Sequence, residues 1–249
     1  MFVRKRKDTL VICPVYNEKN TLRNFYENVR KYYASDVLFI DDGSTDTGRD
    51  YLTGIRDSHT FLLRHHLRQG YGAAVLSGFE FALTLNYARI VTIDADLQHH
   101  PRHIVRFLRG LYGKEVVLGS RYLRVSGDVR VPRSQAMLNR YVRQLLKMLF
   151  ALSVSDPFCA YRGYRSSFLK KVTLAEKGYG LSLEIILEIL RQEVDFEEIP
   201  VEAIYPALPR NFLEKPQDLR RRMEYYLDII EKKRVMTALK RVPVPQRKK

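Results

Sequence analysis

The chain has 249 residues, 45% of them hydrophobic, and is long enough to build one good-sized core. Its formal net charge of +15 suits an anionic partner such as nucleic acid, an anionic membrane surface or a phosphorylated substrate. The sequence has no window of 18 apolar residues, and its basic start has no apolar stretch behind it, so we expect neither a membrane span nor a signal peptide. Cys13 and Cys159 lack CxxC spacing, which favours free thiols in a reducing compartment.

Short apolar runs alternate with amphipathic stretches through the first half of the chain. The apolar runs predict strands at residues 9–13, 37–40, 60–63, 90–93 and 116–118. The amphipathic stretches predict helices at residues 19–33, 47–56 and 72–85, and Pro101 opens a further helix. Because the strands are apolar on both faces and alternate with helices, we expect an α/β fold: a mostly parallel sheet with helices on both faces.

The second half of the chain is predicted to be more helical and more basic. Helices are expected at residues 134–152, 180–192 and 218–239, with a short strand at 198–201. Pro206 and Pro209 indicate a loop, and the basic end of the chain predicts a disordered tail. These features divide the chain into a main domain at residues 1–210 and a C-terminal basic helix and tail at 211–249.

The helix predicted at residues 134–152 has an apolar face and basic residues elsewhere. The apolar face comprises Met137, Leu138, Tyr141, Val142, Leu145, Leu146 and Leu149. This face either packs on the core beneath a solvated charged surface, or joins the basic residues in contacting anionic lipid headgroups. The charged helix at 218–239 is open to the same two interpretations.

Polar side chains follow three of the predicted strands. The clusters are Pro14-Val-Tyr-Asn-Glu18, Asp41-Asp-Gly-Ser44 and Asp94-Ala-Asp-Leu-Gln98. Parallel α/β sheets bind ligands at the carboxyl ends of their strands. Three polar clusters on one rim therefore predict a single site.

The third cluster has the pattern of a divalent-cation site. Asp94 and Asp96 are alternate residues leaving a strand, so their carboxylates are expected to point the same way. They can hold one Mg²⁺ or Mn²⁺ against a diphosphate, and Gln98 supplies a further oxygen. Such a metal would neutralise a diphosphate leaving group. The alternative is a solvated turn that caps the next helix.

The second cluster can contact a nucleotide. Asp41 or Asp42 can accept hydrogen bonds from a pyrimidine ring or ribose hydroxyls, and Gly43 can turn the chain sharply. The alternative is a turn followed by a helix N-cap at Thr45 or Asp46.

The first cluster offers an aromatic ring and a carboxylate. Tyr16 can stack on a base, and Glu18 can hold a ribose hydroxyl. Asn17 alternatively caps the helix predicted at residues 19–33.

The order and spacing of these clusters resemble the family 2 glycosyltransferases, particularly polyprenyl-phosphate sugar transferases of the dolichol-phosphate mannose synthase type. The resemblance covers roughly residues 8–205. Its motifs are Pro14-x-Tyr-Asn-Glu18, Asp41-Asp-Gly-Ser-x-Asp46, Gly70-Tyr-Gly-Ala-Ala74, Asp94-Ala-Asp-Leu-Gln98 with Pro101, Gly119-Ser-Arg-Tyr122, Asp156 with Ala160-Tyr-Arg-Gly-Tyr-Arg165, and Glu184 with Glu198-Ile-Pro-Val201.

The resemblance implies a GT-A catalytic domain at residues 1–210, an inverting single displacement, and Mg²⁺ or Mn²⁺ as cofactor. The residues it assigns to the nucleotide are Pro14, Tyr16, Glu18, Asp41, Asp42, Asp94 and Ala95. It assigns Asp96 and Gln98 to the metal, and the carboxylate pair makes Asp94 a further metal ligand. The donor would be a nucleotide-sugar such as GDP-mannose or UDP-glucose, with mannose preferred.

The resemblance also implies a lipid phosphate acceptor and a peripheral enzyme on the cytoplasmic face of a membrane. Arg121 would face the acceptor phosphate, and Arg133 is a candidate second clamp, since guanidinium suits phosphate. A phosphate oxygen is already anionic at pH 7, so it needs positioning and charge neutralisation rather than a strong base. The alternative for both arginines is solvated surface charge.

Four departures from the family pattern bear on the acceptor. Arg68-Gln69 stands where relatives carry an Asn, and Cys159-Ala-Tyr-Arg162 stands where they have Ser/Cys-Gly-Phe-Arg. The acceptor-binding Arg…Ser pair has no clean match near Arg133. The loop at residues 209–215 offers only Arg210 and Lys215.

Two other functions therefore stay open. The first is transfer to a hydroxyl of a glycan, glycolipid or small molecule, which needs a general base. Glu184 is a candidate for that base, unless it is a helix residue bonded to a backbone amide. The second is a catalytically silent nucleic-acid-binding protein, but it would leave the three clusters unexplained. No nucleic-acid-binding motif occurs, so we expect no nucleic-acid partner.

Three histidines follow the carboxylate pair in sequence. His99, His100 and His103 could serve a metal, but we expect them to face solvent at the start of a helix.

Overall fold

The computed structural model describes residues 7–123, 131–204 and 216–240, with side chains in the last range described for 218–234. The predicted loop at Pro206 and Pro209, the residues Arg210 and Lys215, and the predicted tail after residue 240 lie outside these ranges.

Seven strands form one mixed sheet. In chain order they are β1 Lys7–Val15, β2 Asp36–Asp41, β3 Thr60–Arg64, β4 Tyr87–Thr92, β5 Val116–Ser120, β6 Arg162–Arg165 and β7 Phe196–Pro200. Their order across the sheet is β3-β2-β1-β4-β6-β5-β7. All neighbouring strands are parallel except β6, which runs antiparallel between β4 and β5. The predicted mostly parallel sheet is confirmed.

The chain forms eight α-helices within the described residues. They are α1 Leu22–Tyr32, α2 Gly48–Gly54, α3 Tyr71–Thr84, α4 Ile104–Gly110, α5 Arg133–Phe150, α6 Ser166–Leu169, α7 Leu181–Arg191 and α8 Pro216–Lys240. A 3₁₀ turn at Pro101–His103 leads into α4, as the proline predicted. None of these helices is long and apolar enough to cross a bilayer.

Alternate residues of β1 enter two separate cores, one on each face of the sheet. Leu10 and Ile12 pack in a core that includes residues of α3, α5, α7 and α8. Val11 and Cys13 pack in a core that includes residues of α1 and α4. Because side chains of a strand alternate between faces, an entirely apolar strand needs helices on both sides. The predicted two-sided arrangement is confirmed, and both Cys13 and Cys159 are buried free thiols, as expected.

Helix α5 divides its apolar residues between the core and the surface. Leu138, Val142 and Leu146 are buried. Met137 and Met148 are 62% and 74% exposed, although Met137 was assigned to the same face as the buried residues. The core-packing interpretation therefore holds for part of the predicted apolar face only.

Helix α8 is anchored to the main core. Its side chains Tyr226, Ile229 and Ile230 are buried there, and the helix contacts both α5 and α7. The helix predicted as a C-terminal appendage thus contributes to the same core as the sheet.

The main element absent from the prediction is strand β6, which lies between β4 and β5 in the sheet. Its sequence, Arg-Gly-Tyr-Arg, has no apolar run to mark it as a buried strand. Arg162 is only 1% exposed, and its guanidinium donates to the carbonyl oxygens of Pro157, Cys159 and Ser182, each at 2.7 Å. A buried cation is tolerated where its donors find acceptors, so these bonds allow a charged residue in the middle of the sheet.

Arg162→Met should remove the donors for these three carbonyl groups. We expect the free energy of unfolding to fall by about 5 kcal/mol, since three hydrogen bonds to a charged group are lost and each contributes roughly 1.5–3 kcal/mol. Urea denaturation followed by circular dichroism measures the change. Arg109→Met, at an exposed position on α4, is the control and should cost less than about 0.5 kcal/mol. Equal losses in the two variants would show that the guanidinium does not hold β6 in place.

Candidate active site

A cavity of about 240 Å³ opens at the carboxyl ends of β1, β2 and β4. The sheet order places β2 and β4 on opposite sides of β1, which makes this the point where the strand order reverses. Nine of the predicted site residues line it: Pro14, Tyr16, Glu18, Asp42, Asp94, Ala95, Asp96, Gln98 and Arg121. Residues of all three polar clusters therefore line one cavity. Asp41 and Arg133 are not among the lining residues.

The loops that follow β1 and β2 are tied together by Asn17. Its side-chain oxygen accepts a hydrogen bond from Thr45 N at 2.9 Å, and its own backbone N–H donates to Ser44 Oγ at 3.0 Å. Asn17 adopts a left-handed backbone conformation with φ of 55°, which asparagine tolerates better than most residues. The alternative role for Asn17 as the cap of α1 is wrong, because the N-cap position is Thr21. The predicted N-cap of α2 at Thr45 or Asp46 is also wrong, because the N-cap position is Thr47, although Asp46 accepts from Gly48 N at 3.0 Å.

The two acidic residues after β2 have different surroundings. Asp41 is fully buried and accepts from Ser44 N at 2.8 Å and from Arg64 Nε at 3.0 Å. Its carboxylate is thus directed at the turn and at β3, away from the cavity lining. Asp42 lines the cavity and is the member of the pair placed to contact a ligand.

Asp42 also fixes the backbone at the start of α3. Its carboxylate accepts from the backbone N–H groups of Gln69 and Gly70, each at 2.8 Å, and lies 2.7 Å from His65 Nδ1. Gly70 has a φ of 110°, and a Cβ atom there would lie 2.5 Å from the Lys177 carbonyl oxygen. Only glycine fits this conformation and this close approach.

Tyr16 already has a cation against its ring. The Arg68 guanidinium lies 4.2 Å from the Tyr16 ring centroid, and both residues line the cavity. Arg68 occupies the position where the family pattern has an asparagine. A nucleobase that stacks in this region would therefore contact both the Arg68 guanidinium and the Tyr16 ring. Glu18, the other predicted contact of this loop, accepts from Thr21 Oγ1 at 2.8 Å.

The Asp94–Asp96 pair occupies the end of β4. Asp94 Oδ1 is buried without a hydrogen-bond partner, and Tyr71 lines the same cavity. Burial and the neighbouring charge of Asp96 raise the pKa of Asp94 to about 7. Asp96 Oδ1 accepts from Gln98 N at 3.0 Å, and Leu97 between them has a φ of 62°. A leucine in the left-handed region costs about 1–2 kcal/mol, so the surrounding contacts hold this turn in place.

The Asp94 and Asp96 carboxylates suit a divalent cation whose remaining coordination positions are filled by a bound ligand. In the described ranges, no three His, Cys, Asp or Glu side chains come close enough to form an all-protein metal site. Two carboxylates that face one cavity, one with an unsatisfied buried oxygen, match Mg²⁺ or Mn²⁺ bound through phosphate oxygens and water as well. Asp94 and Asp96 would hold the ion, with the Gln98 side chain as a further candidate.

The expectation that the three histidines face solvent is wrong for two of them. His99 is 4% exposed, and its Nδ1 donates to the Glu202 carbonyl oxygen at 2.9 Å. Burial and the positive charge of Arg121 lower the pKa of His99, which favours its neutral form. His103 is 7% exposed, and burial with the charges of neighbouring arginines lowers its pKa to about 4. The partly buried His100 ring packs edge-on against Tyr32.

Arg121 lines the cavity and is held by a buried carboxylate that stands in the family motif. Asp156 is fully buried and accepts from Arg121 Nε at 2.7 Å and from a terminal guanidinium nitrogen at 2.9 Å. This two-pronged pair fixes the plane of the guanidinium. The exposed Arg133 lies at the start of α5, outside the lining.

Glu184 is excluded from the cavity lining and is fully engaged. It is 4% exposed, accepts from the backbone N–H groups of Ala175 and Glu176, and lies 3.0 Å from Lys233 Nζ. Of the two interpretations of Glu184, the amide-bonded helix residue agrees with these contacts.

The sequence analysis missed several residues that line the cavity, all but one of them in the second half of the chain. They are Tyr71, Phe158, Tyr179, Ser182, Arg222 and Tyr226. Tyr71 and Tyr179 stack with centroids 5.4 Å apart. One signal was available for α8: Arg222, Tyr226, Ile229 and Ile230 have the spacing of one helical face.

The mostly parallel sheet with helices on both faces is a fold of the GT-A type. The structure matches glucosyl-3-phosphoglycerate synthase from Mycobacterium tuberculosis in complex with Mn²⁺, UDP and phosphoglyceric acid. The TM-score is 0.70 at 16% identity, covering 92% of this chain and 78% of that one.

The chain belongs to glycosyl transferase family 2, whose family model matches residues 10–173. It is 30% identical over 208 residues to polyprenol monophosphomannose synthase of Mycolicibacterium smegmatis, covering 80% of this chain and 78% of the relative. It is 29% identical over 198 residues to undecaprenyl-phosphate mannosyltransferase of Micrococcus luteus, covering 77% and 82%.

Asp156→Ala should leave the Arg121 guanidinium buried without its carboxylate. Breaking a buried ion pair from one side costs roughly 3–5 kcal/mol, and we expect a loss of that size in the free energy of unfolding. The double variant Arg121→Met with Asp156→Ala removes the uncompensated charge and should be the more stable of the two. Denaturant unfolding of both variants measures this. A double variant less stable than Asp156→Ala would show that the pair does not act as a unit.

Proposed function

We propose that the protein is an inverting hexosyltransferase, with mannose as the preferred sugar, that uses a nucleotide-sugar donor and a polyprenyl or dolichyl phosphate acceptor. The observation that carries the proposal is that one cavity contains both the Asp94–Asp96 pair and the buried Arg121 guanidinium. Two relatives named for transfer of mannose to polyprenyl carriers support the choice of substrates. The donor would be GDP-mannose, with UDP-glucose as the alternative.

The proposed reaction forms one bond and breaks one bond at the anomeric carbon. An anionic oxygen of the acceptor phosphate attacks that carbon, and the bond to the nucleoside diphosphate breaks on the opposite side. The products are the glycosyl phospholipid and the nucleoside diphosphate. A bound Mg²⁺ or Mn²⁺ would supply charge neutralisation for the departing diphosphate. Arg121, held rigid by Asp156, would orient the acceptor phosphate.

The contacts of Glu184 and Asp42 favour phosphate over hydroxyl as the acceptor group. A sugar hydroxyl needs a general base, whereas a phosphate oxygen is already charged. Glu184, the candidate base, bonds to backbone amides outside the cavity lining. Asp42, which does line it, is engaged by two backbone N–H groups and His65.

A donor-by-acceptor turnover screen tests the proposal. GDP-mannose, UDP-glucose and UDP-N-acetylglucosamine would each be offered with Mn²⁺ or Mg²⁺, with and without a short polyprenyl phosphate. We expect metal-dependent transfer to the lipid phosphate and a loss of about 100-fold or more in Asp96→Ala, since several kcal/mol of charge stabilisation are removed. Asp50→Ala, at an exposed acid on α2, is the matched control and should retain activity. Nucleotide-sugar binding or slow hydrolysis with no transfer to the lipid phosphate would overturn the lipid-phosphate assignment.

The second part of the proposal is peripheral binding to the cytoplasmic face of a membrane through α5. One side of α5 presents cations and methionines at helical spacing: Arg133, Met137, Arg140, Lys147 and Met148. All five are exposed. Basic and apolar side chains mixed on an exposed helix face suit an anionic bilayer surface.

The position of α5 supports this surface as the route for a lipid substrate. Gln135 and Leu138, on another side of the same helix, line the active-site cavity. Beside the exposed face lies a cleft of about 560 Å³ whose cationic lining residues are Arg140, Arg143 and Lys147. A lipid held at this surface would therefore have its phosphate close to the cavity.

Reversing two charges on α5 should release the protein from anionic vesicles. Arg140→Glu with Lys147→Glu should weaken co-sedimentation with phosphatidylglycerol vesicles by about 10-fold or more, because each cation near such a surface contributes about 1 kcal/mol. Arg109→Glu with Lys170→Glu makes the same charge change at exposed positions on another part of the molecule. Equal weakening by both pairs would mean that net charge, and not α5, governs binding.

A further inference from the structure

Helix α8 brings a guanidinium into the cavity from a part of the chain that the family model does not match. The match ends at residue 173, whereas Arg222 and Tyr226 lie on α8 and line the cavity together with Asp94 and Asp96. The two α8 residues are four positions apart, so they share one face of the helix. Tyr226 is 4% exposed, and its ring lies 4.6 Å from that of Phe158.

Several specific contacts fix α8 against the loop before α7. Lys233 Nζ bonds to Glu188 Oε1 at 2.7 Å and to the Thr173 carbonyl oxygen at 3.1 Å. The Tyr225 hydroxyl accepts from Gly180 N at 3.1 Å. A Cβ atom at Gly180 would lie 2.3 Å from Ile229 Cδ1, so the helix packs directly on the glycine backbone. Arg222 therefore lies on a helix that is held firmly against the rest of the fold.

The same loop connects α8 to the carboxylate pair. Tyr179, in this loop, stacks on Tyr71, and both rings line the cavity that contains Asp94. Burial raises the pKa of Tyr179. The charge of Asp94 raises it further, and the charges of Arg68 and Arg222 lower it. The carboxylate pair and the two guanidiniums therefore lie within electrostatic reach of one phenol ring.

The guanidiniums of the cavity have different local partners. Arg121 is paired with Asp156, and Arg68 lies over Tyr16. Arg222 adds a cation on the α8 wall, beside Tyr179 and Tyr226. Its planar fork of N–H donors matches the oxygens of a phosphate group.

We propose that Arg222 binds a phosphate group of the substrates in this cavity, which makes α8 part of the active site. This inference rests on the proposed function and adds a residue to it. The phosphate is either the diphosphate of the donor or the phosphate of the acceptor. Both present anionic phosphate oxygens that a guanidinium can bind, so the experiment includes a separate measurement for each.

The test compares Arg222→Ala with Arg220→Ala on the same helix. Arg220 is 83% exposed at its side chain and pairs with Glu224 on the outer surface. We expect kcat/KM to fall by about 30-fold in Arg222→Ala, the equivalent of one charge-assisted hydrogen-bond pair. Arg220→Ala should stay within about 2-fold of the wild type, in the range of a neutral surface change. Thermal unfolding of both variants, followed by circular dichroism, should match the wild type.

Two binding measurements assign the phosphate. If Arg222 binds the donor, calorimetry will show weaker binding of GDP or UDP with the metal. If it binds the acceptor, nucleotide binding will be unchanged and the KM for polyprenyl phosphate will rise. Arg222→Lys should recover part of the lost activity, and added guanidinium ion should partly rescue Arg222→Ala but not Asp96→Ala. A merely structural role for Arg222 would show neither form of rescue.

The outcomes separate this inference from the proposed function. A wild-type protein that transfers sugar to lipid phosphate, with Arg222→Ala indistinguishable from Arg220→Ala, would overturn the role of Arg222 alone. A wild-type protein that transfers nothing to lipid phosphate would overturn the proposed acceptor. Weaker nucleotide binding by Arg222→Ala in that second case would still support the donor arm.

Discussion

Two carboxylates at the end of β4 impose the main electrostatic constraint on this molecule. Asp94 and Asp96 face one cavity, and Asp94 has a buried oxygen without a partner and a pKa raised to about 7. Burying like charges together is unfavourable unless a cation or a proton offsets the repulsion. The arrangement is therefore suited to a ligand that brings a divalent ion and its own oxygens. A nucleoside diphosphate with Mg²⁺ or Mn²⁺ meets both requirements.

The rest of the cavity is built around that pair by contacts between distant parts of the chain. Asp42 fixes the start of α3 through the Gly70 backbone, and α3 in turn supplies Tyr71 to the cavity lining. Elsewhere in the cavity, Asp156 fixes Arg121. Arg121 and the start of α3 are thus each held by a buried carboxylate. Such support preserves geometry when substrates bind and leave.

The sequence was sufficient to predict the strands that carry the site. β1, β2 and β4 are buried on both faces, so each is an apolar run followed at once by a polar cluster. β6 could not be recognised in this way, because Arg162 is accommodated by carbonyl groups that only the folded chain brings together. The burial of His99 depends similarly on Glu202, 103 residues away in sequence. Asp41 and Asp42 are adjacent in sequence, but only the tertiary contacts show which of them faces the cavity.

The C-terminal helix α8 has a role in the cavity that its charge pattern did not predict. Its charge pattern predicted a basic surface helix, and Arg220 and Lys232 do face solvent. The face that bears Arg222 and Tyr226 instead closes the cavity, and the spacing of those residues was visible in the sequence. Helical periodicity indicates that one face is buried, but it does not say that the buried face reaches a ligand.

The most direct test of the central claim is Mn²⁺ binding measured by electron paramagnetic resonance, with and without GDP or UDP. An incomplete site of two carboxylates predicts weak binding of the ion alone and much tighter binding when the diphosphate is present. Asp96→Ala should abolish the nucleotide-dependent gain. Nucleotide binding that is equally tight without metal, or an Asp96→Ala protein that retains the gain, would contradict the assignment of Asp94 and Asp96 to a metal–diphosphate site.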